Sequence, residues 1–243
     1  MKTDASKTNI ANQLSLLGVF VTLGIVFGDI GTSPLYVMKT IVGVNRMFDR
    51  DYIIGAVSCI IWTLTLQTTI KYMLIALQAD NKGEGGILAL YALVRRNKSK
   101  WLYLVAIIGT STLIADGIIT PSITVTSAIE GLQSLNPETP VVPISIAILS
   151  VLFFIQRFGT NVIGKSFGYI MFFWFLMLGV VGAMQLNHNL TILSAFNPYY
   201  ALNLLYNDPK WFMILGAVFL CTTGAEALYS DLGHCGKKNI TVS

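Results

Sequence analysis

Four carboxylates lie within otherwise apolar stretches of the sequence: Asp29, Asp116, Glu130 and Glu226. On insertion scales, a carboxylate at the centre of a membrane helix costs about 2.5–3.5 kcal/mol, so four of them need partners. No basic residue lies deep in these stretches to neutralise them. We therefore predict that bound cations or protons are the missing partners. No nucleophile–base pair is apparent, so the protein is predicted not to be an enzyme.

The segment Gly24–Tyr36, which contains Asp29, interrupts an apolar run. Gly28, Gly31 and Pro34 disfavour a continuous helix here, while a carboxylate and two hydroxyls supply oxygens. In hydrocarbon, the backbone groups freed by such a break are tolerated only where they line a cavity or bind something. The segment is predicted to be a broken membrane helix that forms a binding site. The alternative is an ordinary kinked helix.

A second interruption, 222–226, stops the apolar run that begins at Trp211, and it again places a carboxylate at the break. Four unbroken stretches separate the two broken ones. This is the pattern of a five-helix unit followed by the start of its inverted copy. The binding site is predicted to lie between the two broken helices.

The third apolar stretch carries a polar stripe. Asp116, Thr120 and Thr124 are spaced i, i+4 and i+8, and Ser127 lies close to the same helix face. Such a stripe is expected to face protein or water, not lipid. Gln67, Thr68 and Thr69 in the second stretch are interpreted as hydrogen-bonding groups between helices.

Composition predicts an integral membrane protein, because 54% of residues are hydrophobic, 12% are charged and the mean hydropathy is +0.67. We predict an all-α fold with one transmembrane domain over residues 1–243 and no removable signal peptide. Cys59, Cys221 and Cys235 lack paired spacing and are expected to be packing residues. The predicted spans are 14–44 (broken), 52–79, 101–135, 141–156, 165–187 and 211–235 (broken).

Basic residues are unevenly divided between the alternating loops: four (Lys39, Arg46, Arg50 and Lys210) on one side against eleven on the other. This excess places the amino terminus in the cytoplasm. Lys71, inside the second span, is expected to reach towards the cytoplasmic surface.

Residues 80–100 are predicted to form a cytoplasmic loop with a short surface helix at 87–94. Its glycine cluster lacks the Gly-Lys-Ser/Thr ending of a phosphate-binding loop, which argues against nucleotide hydrolysis. The basic residues that end the loop are interpreted as a topology anchor, with a docking surface for anionic lipid or a regulatory nucleotide as the alternative. These residues are Arg95, Arg96, Lys98 and Lys100.

Several long motifs resemble those of the Kup/HAK/KT family of potassium uptake permeases. They are Gly28-Asp29-Ile30-Gly31-Thr32-Ser33-Pro34-Leu35-Tyr36, Lys82-Gly83-Glu84-Gly85-Gly86, Asp116-Gly117-Ile118-Ile119-Thr120-Pro121-Ser122, Ala128-Ile129-Glu130-Gly131, and the run from Gly224 to His234. The resemblance implies an inverted-repeat transporter fold of the amino acid, polyamine and organocation type. It also implies potassium/proton symport across a plasma or bacterial inner membrane, with no cofactor.

The resemblance further implies which residues surround the ion path. They are Asp29, Tyr36, Asp116, Thr120, Thr124, Thr223 and Glu226. Glu130 also matches a family carboxylate. We assign potassium to Asp29 and the surrounding hydroxyls and carbonyls, and the proton to Glu226, with Asp116 and then Glu130 as rival proton carriers.

The expected partners are potassium, protons and the lipid bilayer. A homodimer and a cytoplasmic regulatory nucleotide are left open, and no nucleic acid is expected. The alternatives to potassium symport are an organic cation or amino-acid carrier of the same fold, and a non-transporting membrane sensor or partner. Family members continue for several more spans, so the second repeat is incomplete at Ser243, and we expect this chain alone not to transport.

Overall fold

The computed structural model describes residues 14–44, 49–95, 100–156, 160–187 and 189–243, without the side chains of residues 44, 156 and 160–166. The described residues form helices joined by turns, and their one extended pairing is an isolated bridge between Asn81 and Glu84. The all-α prediction is therefore confirmed for these ranges. The amino-terminal residues 1–13, Arg46, Arg96 and Lys98, on which parts of the topology prediction rest, lie outside them.

Thirteen α-helices follow one another along the described chain, together with a π-helical segment at Thr65–Ile75 and short 3₁₀ segments at Ala76–Gln78, Leu190–Phe196 and Leu220–Thr222. The α-helices are α1 (Leu16–Ile25), α2 (Phe27–Ile30), α3 (Ser33–Val44), α4 (Arg50–Leu64), α5 (Gly86–Val94), α6 (Lys100–Leu132), α7 (Val141–Gln156), α8 (Thr160–Leu186), α9 (Pro198–Asn207), α10 (Trp211–Phe219), α11 (Ala227–Ser230), α12 (Leu232–Cys235) and α13 (Lys237–Val242).

Four helical segments are long and apolar enough to cross a membrane: Arg50–Gln78, Lys100–Leu132, Phe167–Leu186 and Trp211–Ser230. A fifth candidate arises if Leu16–Ile25 and Phe27–Gly43, whose axes are bent by 59° relative to each other, form one span. Large apolar side chains such as Ile118, Phe153 and Phe173 point outwards and are more than half exposed, as lipid-facing residues are. The chain is a membrane protein. The predicted span 141–156 corresponds to α7, which is shorter than the others.

The first broken helix consists of α1, α2 and α3 and bends at the predicted segment. The break is tight: the Gly31 amide donates to the Phe27 carbonyl, and the Thr32 amide donates to the Asp29 carbonyl. Side chains cover the same carbonyls, since the Ser33 hydroxyl donates to Asp29 O at 2.9 Å. Trp174 of α8 donates its indole N–H to Gly31 O at 3.3 Å. Few backbone groups are left without partners at this break.

The second broken helix consists of α10, the 3₁₀ turn at Leu220–Thr222 and α11. Thr223 leaves the helical region with φ −58° and ψ 140°, and Gly224 has φ +83°. A positive φ is accessible to glycine at little cost, so Gly224 permits this turn. The interruption predicted at 222–226 is confirmed.

The two broken helices pair half with half. Val37 and Ile41, after the first break, share a buried cluster with Ile214 and Val218, before the second. Val26, before the first break, shares another cluster with Leu228 and Leu232, after the second. The broken helices are thus antiparallel partners, with an apolar cluster on each side of the layer where both break. The three cysteines are buried in these clusters, as predicted.

The second span changes geometry midway, from α4 to the π-helix Thr65–Ile75. A π-helix has more residues per turn than an α-helix, so residues four and five apart share a face. Gln67, Lys71 and Tyr72 are brought together in this way. Thr68, predicted to bond between helices, instead donates to the Leu64 carbonyl of its own span at 2.6 Å.

Candidate functional site

Three hydroxyl groups meet where the two broken helices cross: Ser33, Tyr36 and Thr223, called here the hydroxyl triangle. The oxygen–oxygen distances are 3.0 Å between Ser33 and Thr223, 3.0 Å between Tyr36 and Ser33, and 3.2 Å between Tyr36 and Thr223. Two further contacts reach backbone carbonyls, from Ser33 to Asp29 O and from Thr223 to Leu220 O, each at 2.9 Å. The triangle joins the first break directly to the second.

The hydroxyl triangle has more oxygen contacts than protons to fill them. Three hydroxyl groups carry three protons, whereas the triangle and its two carbonyls make five short oxygen–oxygen contacts. At any moment at least two contacts bring oxygen lone pairs together without a hydrogen centred between them. Such a cluster of neutral oxygens is electron-rich and favours a cation, as rings of oxygen dipoles do in ion-selective channels.

A cavity of about 310 Å³, the tyrosine cavity, lies on one side of the hydroxyl triangle. Tyr36 and Thr124 line it, and the Thr124 hydroxyl is buried without a hydrogen-bond partner among the described residues. This hydroxyl oxygen can therefore still accept a hydrogen bond or contact a cation. The lining residues are Thr32, Leu35, Tyr36, Lys39, Thr124, Ser127, Ala128, Gly131 and Trp174.

A second cavity of about 350 Å³, the acidic cavity, also borders the triangle, through Thr223. Asp116 and Glu226 both line it. The other lining residues are Gln67, Lys71, Tyr72, Ile87, Gly109, Thr112, Leu113, Phe219 and Thr222. Since Tyr36 lines one cavity and Thr223 the other, the hydroxyl triangle borders both cavities.

Three of the predicted carboxylates lie within electrostatic range of one another. Glu226 is subject to the charges of Asp116 and Asp29, and Asp29 is subject to the charge of Asp116. Thr120 donates to Asp116 Oδ1 at 2.9 Å, which confirms that these two residues share a helix face. Asp29 packs against Gly224, where an added Cβ would lie 2.8 Å from its Oδ2 atom. A carboxylate pair such as Asp116 and Glu226 can share a proton, and the third negative charge favours a cation nearby.

Glu130 corrects the expectation that the four carboxylates lack basic partners. Its Oε2 atom lies 2.8 Å from Lys39 Nζ, and both side chains are partly exposed. Lys39 belongs to α3, at the end of the first predicted span. The topology prediction counts its charge with those of the following loop. Glu130 is therefore an ion-paired residue at the rim of the tyrosine cavity and not a buried, unneutralised charge.

Lys71 is exposed and lines the acidic cavity together with Asp116 and Glu226. That it reaches towards the cytoplasmic surface stays a prediction. Its Nζ atom lies 4.9 Å from the centre of the Tyr72 ring, in a cation–π arrangement. A positive charge is thus available at the edge of the acidic cavity.

The predicted ion-path residues are divided between the two cavities. Tyr36 and Thr124 line the tyrosine cavity, Asp116, Thr223 and Glu226 line the acidic cavity, and Asp29 lies at the break between them. Thr120 is buried behind Asp116.

Two residues of the site, Lys39 and Gln67, carry no prediction of a site role, and Ser33 is predicted only as one of the oxygens at the first break. Ser33 lies in the first break, close to Asp29, and is fully buried. In the sequence it is only one of several polar residues at this break, and its burial cannot be read from its position. Lys39 and Gln67 depend on how helices pack, and no local pattern reveals them.

Known proteins are similar to this chain over nearly its whole length. Residues 16–243 match the profile of the family described as K+ potassium transporter, integral membrane domain. A protein of Flavobacterium psychrophilum named probable potassium transport system protein Kup is 58% identical over 239 residues, which are 98% of this chain and 36% of that protein. Proteins of the same name from Flavobacterium johnsoniae and Latilactobacillus sakei are 57% and 53% identical over 98% and 99% of this chain and 37% of each relative.

The chain thus spans little more than a third of the length of these relatives. Their names describe transport and not an enzymatic reaction. No solved structure matched the chain.

Proposed function

Because this chain belongs to the family of K+ potassium transporter integral membrane domains, we propose that it carries the ion-binding part of a secondary transporter that takes up potassium together with protons. The observation that supports this most is the hydroxyl triangle between the two broken helices. It gathers neutral oxygens at the one layer where both helices are interrupted. Potassium is weakly hydrated, and a site for it can be assembled from such oxygens and one carboxylate.

In the proposed site, potassium binds at the hydroxyl triangle with Asp29 as the nearby negative charge. Asp29 packs on Gly224 of the opposite break, so the same carboxylate serves both helices. Helix breaks at a substrate site are typical of transporters built from inverted repeats. The antiparallel pairing of the two broken helices supports an inverted-repeat fold for the whole protein.

The proton is assigned to the acidic cavity. Glu226 and Asp116 face each other there, and together they can hold one proton between two carboxyl groups. Loss of this proton leaves a further negative charge beside the potassium site. For uptake of both ions together, the potassium ion and this proton must be bound at the same time, each at its own carboxylates, before the site opens to the cytoplasm.

The chain is proposed to lie in the cell membrane with residues 80–95 and the acidic cavity towards the cytoplasm. The uneven division of basic residues supports this orientation. The tyrosine cavity then faces the outside, and an incoming ion meets Tyr36 before it meets Glu226.

Transport assays need a protein as long as the relatives. We therefore use a full-length fusion, in which this chain is followed by the part of the 58% identical relative that extends beyond the match. Asp29→Asn should abolish potassium binding at every pH, because the site loses its charge. Glu226→Gln should leave potassium binding measurable but remove the dependence of uptake on the proton gradient. Glu138→Gln, an exposed carboxylate outside both cavities, is the matched control.

Potassium uptake by the unmodified fusion into potassium-depleted cells is the first measurement. If the fusion bound an organic cation and moved no potassium while the relative did, the proposed function would be wrong. If Glu226→Gln still concentrated potassium with unchanged pH dependence, Glu226 would not be the proton carrier, and Asp116→Asn would be measured next.

A further inference from the structure

The ion pair between Lys39 and Glu130 joins two elements across the mouth of the tyrosine cavity. Lys39 lies on α3 of the first broken helix, and Glu130 lies near the end of α6. Lys39 itself lines the cavity, as does Gly131, the neighbour of Glu130. The side chains are 64% and 41% exposed, and exposed ion pairs contribute little to stability and open readily. The pair is thus better suited to opening than to holding the fold together.

Oxygens lead from Glu130 into the cavity. Ser127 and Thr124 precede Glu130 by about one and two turns of α6, and both line the tyrosine cavity. The Thr124 hydroxyl is buried and has no partner among the described residues. Tyr36 follows at the far wall and belongs to the hydroxyl triangle. Ser127, Thr124 and Tyr36 thus offer hydroxyl oxygens at three positions of a cavity whose lining is otherwise mostly apolar.

The Lys39 ammonium occupies the position that a monovalent cation would take beside Glu130. Its Nζ atom lies 2.8 Å from the carboxylate oxygen, and it carries the same single charge as an alkali ion. A lysine tethered to α3 and an ion from solution cannot both occupy this position. An ion that takes this position displaces the ammonium.

We propose that Glu130 is the first contact site for the transported monovalent cation and that Lys39 is a tethered competitor for this site. This inference rests on the proposed function, because it assumes that a cation passes through the tyrosine cavity. In this inference Lys39 controls entry into the tyrosine cavity. Its side chain covers Glu130 when no ion is present and moves away when an ion binds.

The test uses the full-length fusion with Ser127→Cys as a probe inside the cavity. The three cysteines of this chain, Cys59, Cys221 and Cys235, are buried, and the fusion without Ser127→Cys gives the background labelling. The rate of modification of the new cysteine is measured with a cationic and a neutral thiol reagent, in potassium chloride and in choline chloride. In this background we compare Lys39→Gln, Lys39→Arg and Glu130→Gln.

We expect Lys39→Gln to speed modification by the cationic reagent about two- to fivefold, with the neutral reagent unchanged. Potassium should slow the cationic reagent, and Glu130→Gln should remove both effects. Lys39→Arg, which keeps the charge, should behave like the unmodified protein. Lys210→Gln removes a lysine that the topology prediction places on the same membrane side but away from the cavity, so it should have no effect.

Equal rates for both reagents in Lys39→Gln, or no effect of potassium, would overturn the inference and leave the pair as a strap between α3 and α6. An equal effect of Lys210→Gln would also overturn it, because general surface charge would then be the cause. The labelling rates do not depend on transport. Failure of the fusion to take up potassium would contradict the proposed function and would be recognised separately.

Discussion

The distribution of protons among Ser33, Tyr36 and Thr223 determines what the hydroxyl triangle can bind. Ser33 and Thr223 can each donate to a carbonyl of their own helix, which leaves the Tyr36 proton to be shared. The lone pairs of Ser33 and Thr223 then face each other at 3.0 Å. A bound cation resolves this excess of acceptors without a rearrangement of the helices.

Tyr36→Phe removes one oxygen and the shared proton while keeping the aromatic ring. We expect the potassium concentration for half-maximal uptake to rise about tenfold, which corresponds to the loss of roughly 1–1.5 kcal/mol from one hydrogen-bonding group. The thermal unfolding temperature should change little. Tyr206→Phe, at a side chain that is 90% exposed, is the control. An unchanged potassium dependence in Tyr36→Phe would remove the tyrosine from the site.

At the residue scale, the sequence is informative where a residue type is costly in its surroundings. Asp29, Asp116 and Glu226 are identified because carboxylates are rare in apolar helices, and Thr120 because it follows Asp116 by one turn. The expectation that Glu130 lacks a basic partner is wrong for a physical reason: its partner, Lys39, is distant in sequence and becomes its neighbour only when α3 packs beside α6.

At the scale of elements, the two breaks depend on each other. Gly224 has φ +83°, and a Cβ at this position would lie 2.7 Å from Asp29 Cβ. A side chain at position 224 in the second broken helix would therefore overlap with the Asp29 side chain of the first. The absence of a side chain at Gly224 lets the two breaks approach closely.

Gly224→Ala should destabilise the protein by about 1–3 kcal/mol, because alanine is strained at a positive φ and clashes with Asp29. Gly216→Ala, on α10 of the same broken helix, meets no atom within 4 Å and is the matched control. Thermal unfolding in detergent measures both variants. Equal stability of the two would contradict the close packing of Asp29 on Gly224.

The sequence predicts both breaks because glycine, proline and carboxylates interrupt apolar runs. It does not predict the π-helix at Thr65–Ile75, because this segment contains no glycine or proline that would mark a change in helix geometry. In this π-helix, Gln67 and Lys71 line the acidic cavity. From the sequence, Gln67 is predicted to form hydrogen bonds between helices, and Lys71 is predicted to reach towards the cytoplasmic surface.

At the scale of the whole molecule, the paired halves of the broken helices enclose a polar layer between two apolar clusters. The sequence indicates that two broken helices exist, but their antiparallel contact is a property of the assembled fold. The tyrosine cavity and the acidic cavity lie against opposite members of the hydroxyl triangle. This arrangement is suited to a path that is approached from two sides.

The orientation in the membrane can be tested with two cysteine variants at exposed positions, Arg95→Cys and Asn207→Cys. With an impermeant thiol reagent on intact cells, we expect labelling at position 207 and none at position 95. Both should be labelled after the cells are broken. The reverse pattern in intact cells would contradict a cytoplasmic location for the loop that contains α5.

The central claim is that a potassium ion binds where the two broken helices meet. The direct measurement is the anomalous scattering of Rb⁺ or Tl⁺ in crystals of the transport-active, full-length fusion. We predict a peak in contact with the Tyr36 and Thr223 hydroxyls, close to Asp29, that is lost in Asp29→Asn. A fully occupied ion elsewhere in the transporter, with no peak at the hydroxyl triangle, would contradict the account.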